Sequence, residues 1–188
     1  MIGKSLLLAA GLVAAVGTAA AQHQQHPMPG SASPEDMVRS AMSAAPPAVA
    51  AKATIVAVDS KGGMKPLRSG SNGFTCMPDN PVTPGPDPMC MDANALKWAQ
   101  AWIGRKPPPA NSVGLMYMLG GGTDASNVDP YATKPTGSNA WVETGPHIMI
   151  VGAPSLLKGY PRGAKPDTGA PYVMWAGTPY AHLMVPVK

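Results

Sequence analysis

Two stretches of this sequence set the same side chains at the same spacing. In "GPHIMIVG", from Gly145 to Gly152, His147 comes two residues before Met149; in "YAHLMVPV", from Tyr180 to Val187, His182 stands in the same relation to Met184. His26 and Met28 repeat it, so three of the four histidines have a methionine two residues later. In a β-strand, residues i and i+2 share one face, so each pair would present an imidazole beside a thioether. Met116 and Met118 have the same spacing in "SVGLMYML". Thioether sulfur prefers Cu(I), imidazole suits several metals, and a hard cation would want carboxylates that these runs lack. The chemistry read from these residues is therefore soft-metal binding, with copper as the cofactor and His147, Met149, His182 and Met184 as ligands. Such a neutral set holds a monovalent ion without burying opposite charge. The competing structural reading is that methionines fill gaps in a β core and that the histidines beside them are buried and hydrogen-bonded.

Other groups offer weaker chemistry. "GGGTDASNVDPYATKP" gathers Asp124, Ser126, Asn127 and Asp129, but it misses the spacing of a Ca²⁺ loop and the Lys-Ser/Thr ending of a phosphate loop. Side-chain to backbone bonding in turns accounts for it better. An enzyme reading, a hydrolase-like site with His147 or His182 as base and Asp124, Asp129 or Glu143 as orienter, has neither a G-x-S-x-G elbow nor an H-E-x-x-H to support it, which weighs against catalysis. A third reading is a structural or carbohydrate-binding module, with Trp141, Tyr172, Trp175 and Tyr180 available to stack on sugars; aromatics at strand positions are usually core.

The elements that must position these residues follow from the rest of the chain. "MIGKSLLLAAGLVAAVGTAAAQ" has one charge at Lys4, an apolar stretch from Leu6 to Val16 and the small pair Ala19 and Ala21. Residues 1–21 thus read as a signal peptide, and the chain as exported to the periplasm or beyond. Cleavage one residue earlier would leave Ala21-Gln22-His23, a nitrogen set suited to square-planar Cu(II), although the Ala19-x-Ala21 site is the better match. Residues 22–50 are expected to form a flexible tether containing a short helix, "SPEDMVRSAMSAA", with Ser33 as N-cap and Pro34 at its first position. Residues 51–188 are expected to form one globular domain.

Within that domain, "KATIVAVD" and "MKPLR" around "SKGG" predict a hairpin, and "GFTCM" a third strand. Asp92 caps a second helix, "ANALKWAQAWI", whose Trp98 and Trp102 lie one turn apart and should pack on a sheet. Three further apolar runs, containing Met116, His147 and His182, predict strands. With 21 glycines and 23 prolines in 188 residues, long loops must connect them. The expected fold class is β-rich α+β: an antiparallel sheet, as a sandwich or partial barrel, with one or two short helices and long Pro/Gly-rich loops.

Cys76 and Cys90 flank "MPDNPVTPGPDPM" and are the only cysteines. In an oxidising compartment they should form a disulfide, closing a proline-stiffened loop and contributing about 3 kcal/mol on the chain-entropy model. Charged residues make up 13% of the chain and the net charge is +4 without a basic run, so nucleic acid is a poor partner. No later apolar stretch is long enough for a membrane span, which leaves a metal ion or small molecule as the expected partner. Finally, "CMPDNPVTPGPDPMC", "DASNVDPYATKP", "GPHIMIVG" and "PYVMWAGTPYAHLM" together resemble an uncharacterised family of small secreted bacterial proteins, from about Cys76 to the end. The resemblance implies an exported single domain and carries no activity or site residue.

Overall fold

The computed structural model describes residues 32–59 and 63–187. The expected signal peptide, His23 and the His26-Met28 pair lie outside the described residues.

Helix α1, Pro34–Ser43, starts as its sequence requires: the Ser33 hydroxyl accepts from the Asp36 amide, the Asp36 carboxylate accepts from the Ser33 amide, and Pro34 fills the first turn. The buried face of α1 and the short α2, Pro47–Ala50, is made of alanines. Ala41, Ala44 and Ala50 are essentially inaccessible and pack against Ile55, Cys76 and Cys90. Arg68 fastens this layer by donating to the carbonyls of Ala50 at 2.5 Å and Ala53 at 2.9 Å.

The expected hairpin is β1, Thr54–Val58, with β2, Met64–Arg68. Next come β3, Thr75–Met77, and β4, Met89–Met91, which are antiparallel, with Cys76 directly facing Cys90 and bonded to it. Helix α3, Ala93–Ile103, is capped by Asp92, one of whose carboxylate oxygens accepts from the amides of Asn94 and Ala95 while the other accepts from Leu115. One side chain thereby ties the helix start to β5, Gly114–Met118. The contact is so close that a Cβ on Gly114 would sit 2.3 Å from the Ala95 nitrogen. The remaining strands are β6, Ala125–Ser126; β7, Trp141–Val142; β8, His147–Val151; β9, Tyr172–Met174; and β10, His182–Pro186.

Eight strands form one sheet in the order β2-β1-β3-β4-β5-β8-β10-β9, and β6-β7 form a separate small ribbon. The β-rich α+β class expected from the sequence is what is found. The sheet is open and mixed, however, because β3 pairs parallel to β1. Since β2 runs antiparallel to β1, it ends where β1 begins, and a short connection past that end delivers β3 to the far side of β1. Gly70 makes the crossing, where a Cβ would lie 2.1 Å from the Thr54 nitrogen. No sandwich or partial barrel is needed to bury this sheet. Helix α3 covers one face; α1, α2 and a 3₁₀ turn, Pro154–Leu157, cover the other. Among the described residues no helix is long and apolar enough to cross a membrane.

Candidate metal centre

Strand alternation decides what lies under α3. The residues on that face are Met77 of β3, Met89 and Met91 of β4, Met116 and Met118 of β5, His147 and Met149 of β8, His182 and Met184 of β10, and Tyr172 and Met174 of β9. Eight of the chain's 13 methionines thus share one sheet face. Four of them stand in a single cross-strand row, since Met91 faces Met116, Met116 faces Met149 and Met149 faces Met184, with Tyr172 next in line. The other face carries Ile55, the disulfide, Val173 and Leu183.

The four candidate ligands therefore do share a face, and Met149 and Met184 are direct cross-strand partners. The histidines flank this pair from opposite ends: Pro186, four residues after His182, is the residue facing His147. Each histidine also has a methionine directly across the neighbouring ladder, Met118 for His147 and Met174 for His182.

The two imidazoles are held alike. His147 Nδ1 lies 2.7 Å from the Gly145 carbonyl oxygen and His182 Nδ1 lies 2.9 Å from that of Tyr180, each two residues back. A carbonyl can only accept, so the proton is on Nδ1 and Nε2 keeps its lone pair. His182 is 0% exposed and its Nε2 has no partner; the Tyr172 hydroxyl, beside Met184 on the same face, is likewise buried and unpartnered. Buried polar atoms are nearly always satisfied, so two such atoms next to a thioether row ask for an explanation.

Above this face sits an aromatic roof. Trp98 of α3 stacks on Trp175 at 6.2 Å, and the His182 ring meets them edge-to-face at 5.3 and 4.9 Å. Trp175 adopts a left-handed φ of 54° and is fixed by donating from its ring nitrogen to the Ser126 carbonyl at 2.9 Å. The expectation that the α3 tryptophans pack on a sheet holds. Burial, which disfavours the charged imidazole, lowers the His182 pKa to about 4, with His147 adding a smaller like-charge effect; burial also lowers that of His147. Both rings are neutral at pH 7 and able to donate to a metal.

Among the described residues, no three of His, Cys, Asp and Glu come together as a cation site. Methionines are the soft donors that the register sets next to the histidines. Sequence reasoning paired each histidine with the methionine on its own strand and set Met116 and Met118 beside them by spacing, but did not place Met118 opposite His147 and did not include Met174. The alternation in "MCM" and "GLMYM" signals a methionine-lined face, whereas the register that sets Met184 opposite Met149 depends on the long excursion between β8 and β10, and the one that sets Met174 opposite His182 on the irregular turn between β9 and β10.

The alternative sites come apart. Ser126 Oγ donates to the Asn139 carbonyl and accepts from the amides of Val128 and Asp129, and the Asp129 carboxylate accepts from the Tyr131 amide. This is turn wiring. Burial first, and Glu143 second, raise the Asp124 pKa, and backbone carbonyls occupy the position on each imidazole that an orienting carboxylate would need. Tyr172, Trp175 and Tyr180 are buried and cannot stack on a ligand. Trp141 lines a surface cleft of about 570 Å³ with Glu143, Lys165 and Thr136, formed around β7. No protein-family model, no curated protein and no solved structure matches this chain.

Proposed function

We propose that this chain is an exported copper-binding protein that holds Cu(I) on the methionine-lined sheet face, through the His147-x-Met149 and His182-x-Met184 pairs. The observation that carries the reading is the His182 imidazole: fully buried, anchored through Nδ1 to a backbone carbonyl, with its Nε2 lone pair unpartnered on a sheet face where Met174 is its register partner and Met184 lies two residues on. Metal-ligating histidines characteristically donate their other N–H to a carbonyl or carboxylate, which fixes the tautomer and orients the ring. Soft sulfur donors select a soft ion, and a neutral donor set leaves a single positive charge to accommodate in a face roofed by indoles. The disulfide suits an oxidising compartment, where an exported chain would meet copper only after crossing the membrane.

The test is competition for Cu(I). The purified chain, refolded anaerobically with ascorbate, should withdraw Cu(I) from a chromophoric bicinchoninate complex, and the His147→Ala/His182→Ala variant should not. Because burial holds both imidazoles below their ordinary range, binding should outlast the pH at which a free imidazole takes its proton and weaken at lower pH, the His182 contribution being lost as pH approaches about 4. Wild-type uptake no greater than that of the folded double variant would end the proposal.

A further inference from the structure

Resting on that reading, we infer that the face carries two separate soft-metal sites, each with one imidazole and two thioethers: His147 with Met149 and Met118, and His182 with Met184 and Met174. Register is the main argument. His182 lies four residues along the strand direction from His147, as Pro186 opposite His147 shows, which at the rise of a β-strand is about 13 Å. One ion bound by both rings would need their nitrogens within roughly 4 Å of each other, each about 2 Å from the metal. To share one ion the two rings would have to reach toward each other over that stagger, across the Met149-Met184 pair that stands between them.

Each histidine instead has two methionines of its own next to it in the register. The methionine two residues on shares its strand and face; the second faces it directly across a ladder, Met118 for His147 and Met174 for His182. Directly opposed residues have Cβ atoms about 5 Å apart, so flexible thioethers can close on one ion from two sides of the imidazole. In both sites the Nδ1 bond to the carbonyl two residues back leaves Nε2 on the side of the ring away from that carbonyl. A d¹⁰ ion has no ligand-field demand for a fourth donor, and such an N-S-S set satisfies it.

The two sites differ in access. His147 is 4% exposed and His182 is inaccessible, beneath Trp98 and Trp175. The His147 site therefore exchanges with solvent more readily, and the His182 site fills as the chain folds. Two monovalent ions on one sheet face repel each other, which weakens the second binding step.

The full chain is refolded with silver nitrate in chloride-free buffer, Ag(I) serving as a redox-stable d¹⁰ probe, and weighed by native mass spectrometry. Two Ag(I) per chain are expected. His147→Leu with Met118→Leu should leave one ion, and His182→Leu with Met174→Leu should also leave one. X-ray absorption on the wild type, which needs no variant to fold, should give one nitrogen and two sulfur neighbours per ion. A stoichiometry of one, with two nitrogens and two sulfurs, overturns the two-site arrangement while leaving copper binding in place. No ion bound by the wild type removes the underlying reading and this inference with it.

Discussion

Acidification should expose His182 through stability as well as through metal binding. The unfolded imidazole takes its proton near the reference value of 6.5, whereas the folded one, buried under two indoles, holds out to about 4. Between those values the unfolded state binds more protons, so stability is fully present above about pH 6.5 and is lost as pH falls through this window. At 1.36 kcal/mol for each tenfold step in proton affinity, the loss from this one residue is about 2 kcal/mol at pH 5 and about 3 kcal/mol by pH 4. Wild type alone would mask it. The Asp87 carboxyl, pushed up to about 6 chiefly by burial, binds its proton more tightly in the folded state and contributes with the opposite sign over much of the same range. The informative quantity is therefore the difference between wild type and His182→Leu, in which Asp87 cancels. At pH 7 the variant should differ from wild type by about 1 kcal/mol, the worth of the lost bond to the Tyr180 carbonyl. Moving to pH 5 should shift the comparison by about 2 kcal/mol in the variant's favour, or about 4–8 °C in Tm for a domain of this size. Metal-free protein followed by urea denaturation at both pH values measures this, with the fluorescence of Trp98 and Trp175 reporting the same protonation. If the difference is the same at both pH values, the burial argument fails and the imidazolium is stabilised in place by the indole faces.

Two further outcomes are expected. Reduction, or the Cys76→Ser/Cys90→Ser variant, should lower stability by about 3 kcal/mol, because the bond closes a loop across a 14-residue separation, and the non-reduced chain should contain no free thiol by mass. Asp124→Asn should change stability by no more than about 0.5 kcal/mol, since the carboxyl is only partly buried and sits beside turn residues; a larger loss, measured by thermal melting, would give Asp124 a role that the turn does not explain.

What could be read in advance was whatever depends on near neighbours. The Ser33 and Asp92 caps, the β1-β2 hairpin, the tryptophan face of α3 and the disulfide are each written within about a dozen residues, where local hydrogen bonding and periodicity decide the outcome. Placement of β3 beside β1 was not legible, because it turns on Gly70 slipping past Thr54, and a lone glycine in a loop resembles many others. The docking of α1 was hidden for another reason: its buried surface is alanine, and small residues that permit close approach look unremarkable in composition. At the candidate centre, the shared face of His147 and Met149 followed from strand alternation alone, but the identity of their neighbours required the register.

The methionine row has a consequence for oxidative damage. Converting a thioether to a sulfoxide adds a polar oxygen to a face that is almost wholly apolar, with the Tyr172 hydroxyl at the end of the row as a buried donor. While folded, Met91, Met116, Met149 and Met184 are at most 7% exposed and shielded from peroxide. In an unfolded chain all four are open to attack, and oxidation at any of them leaves a side chain that the core resists taking back. Exposure to oxidant would then act as a ratchet, steadily removing from the folding pool every molecule that opens too often. The longevity of the protein under oxidising conditions is in this sense set by how rarely its sheet separates from α3.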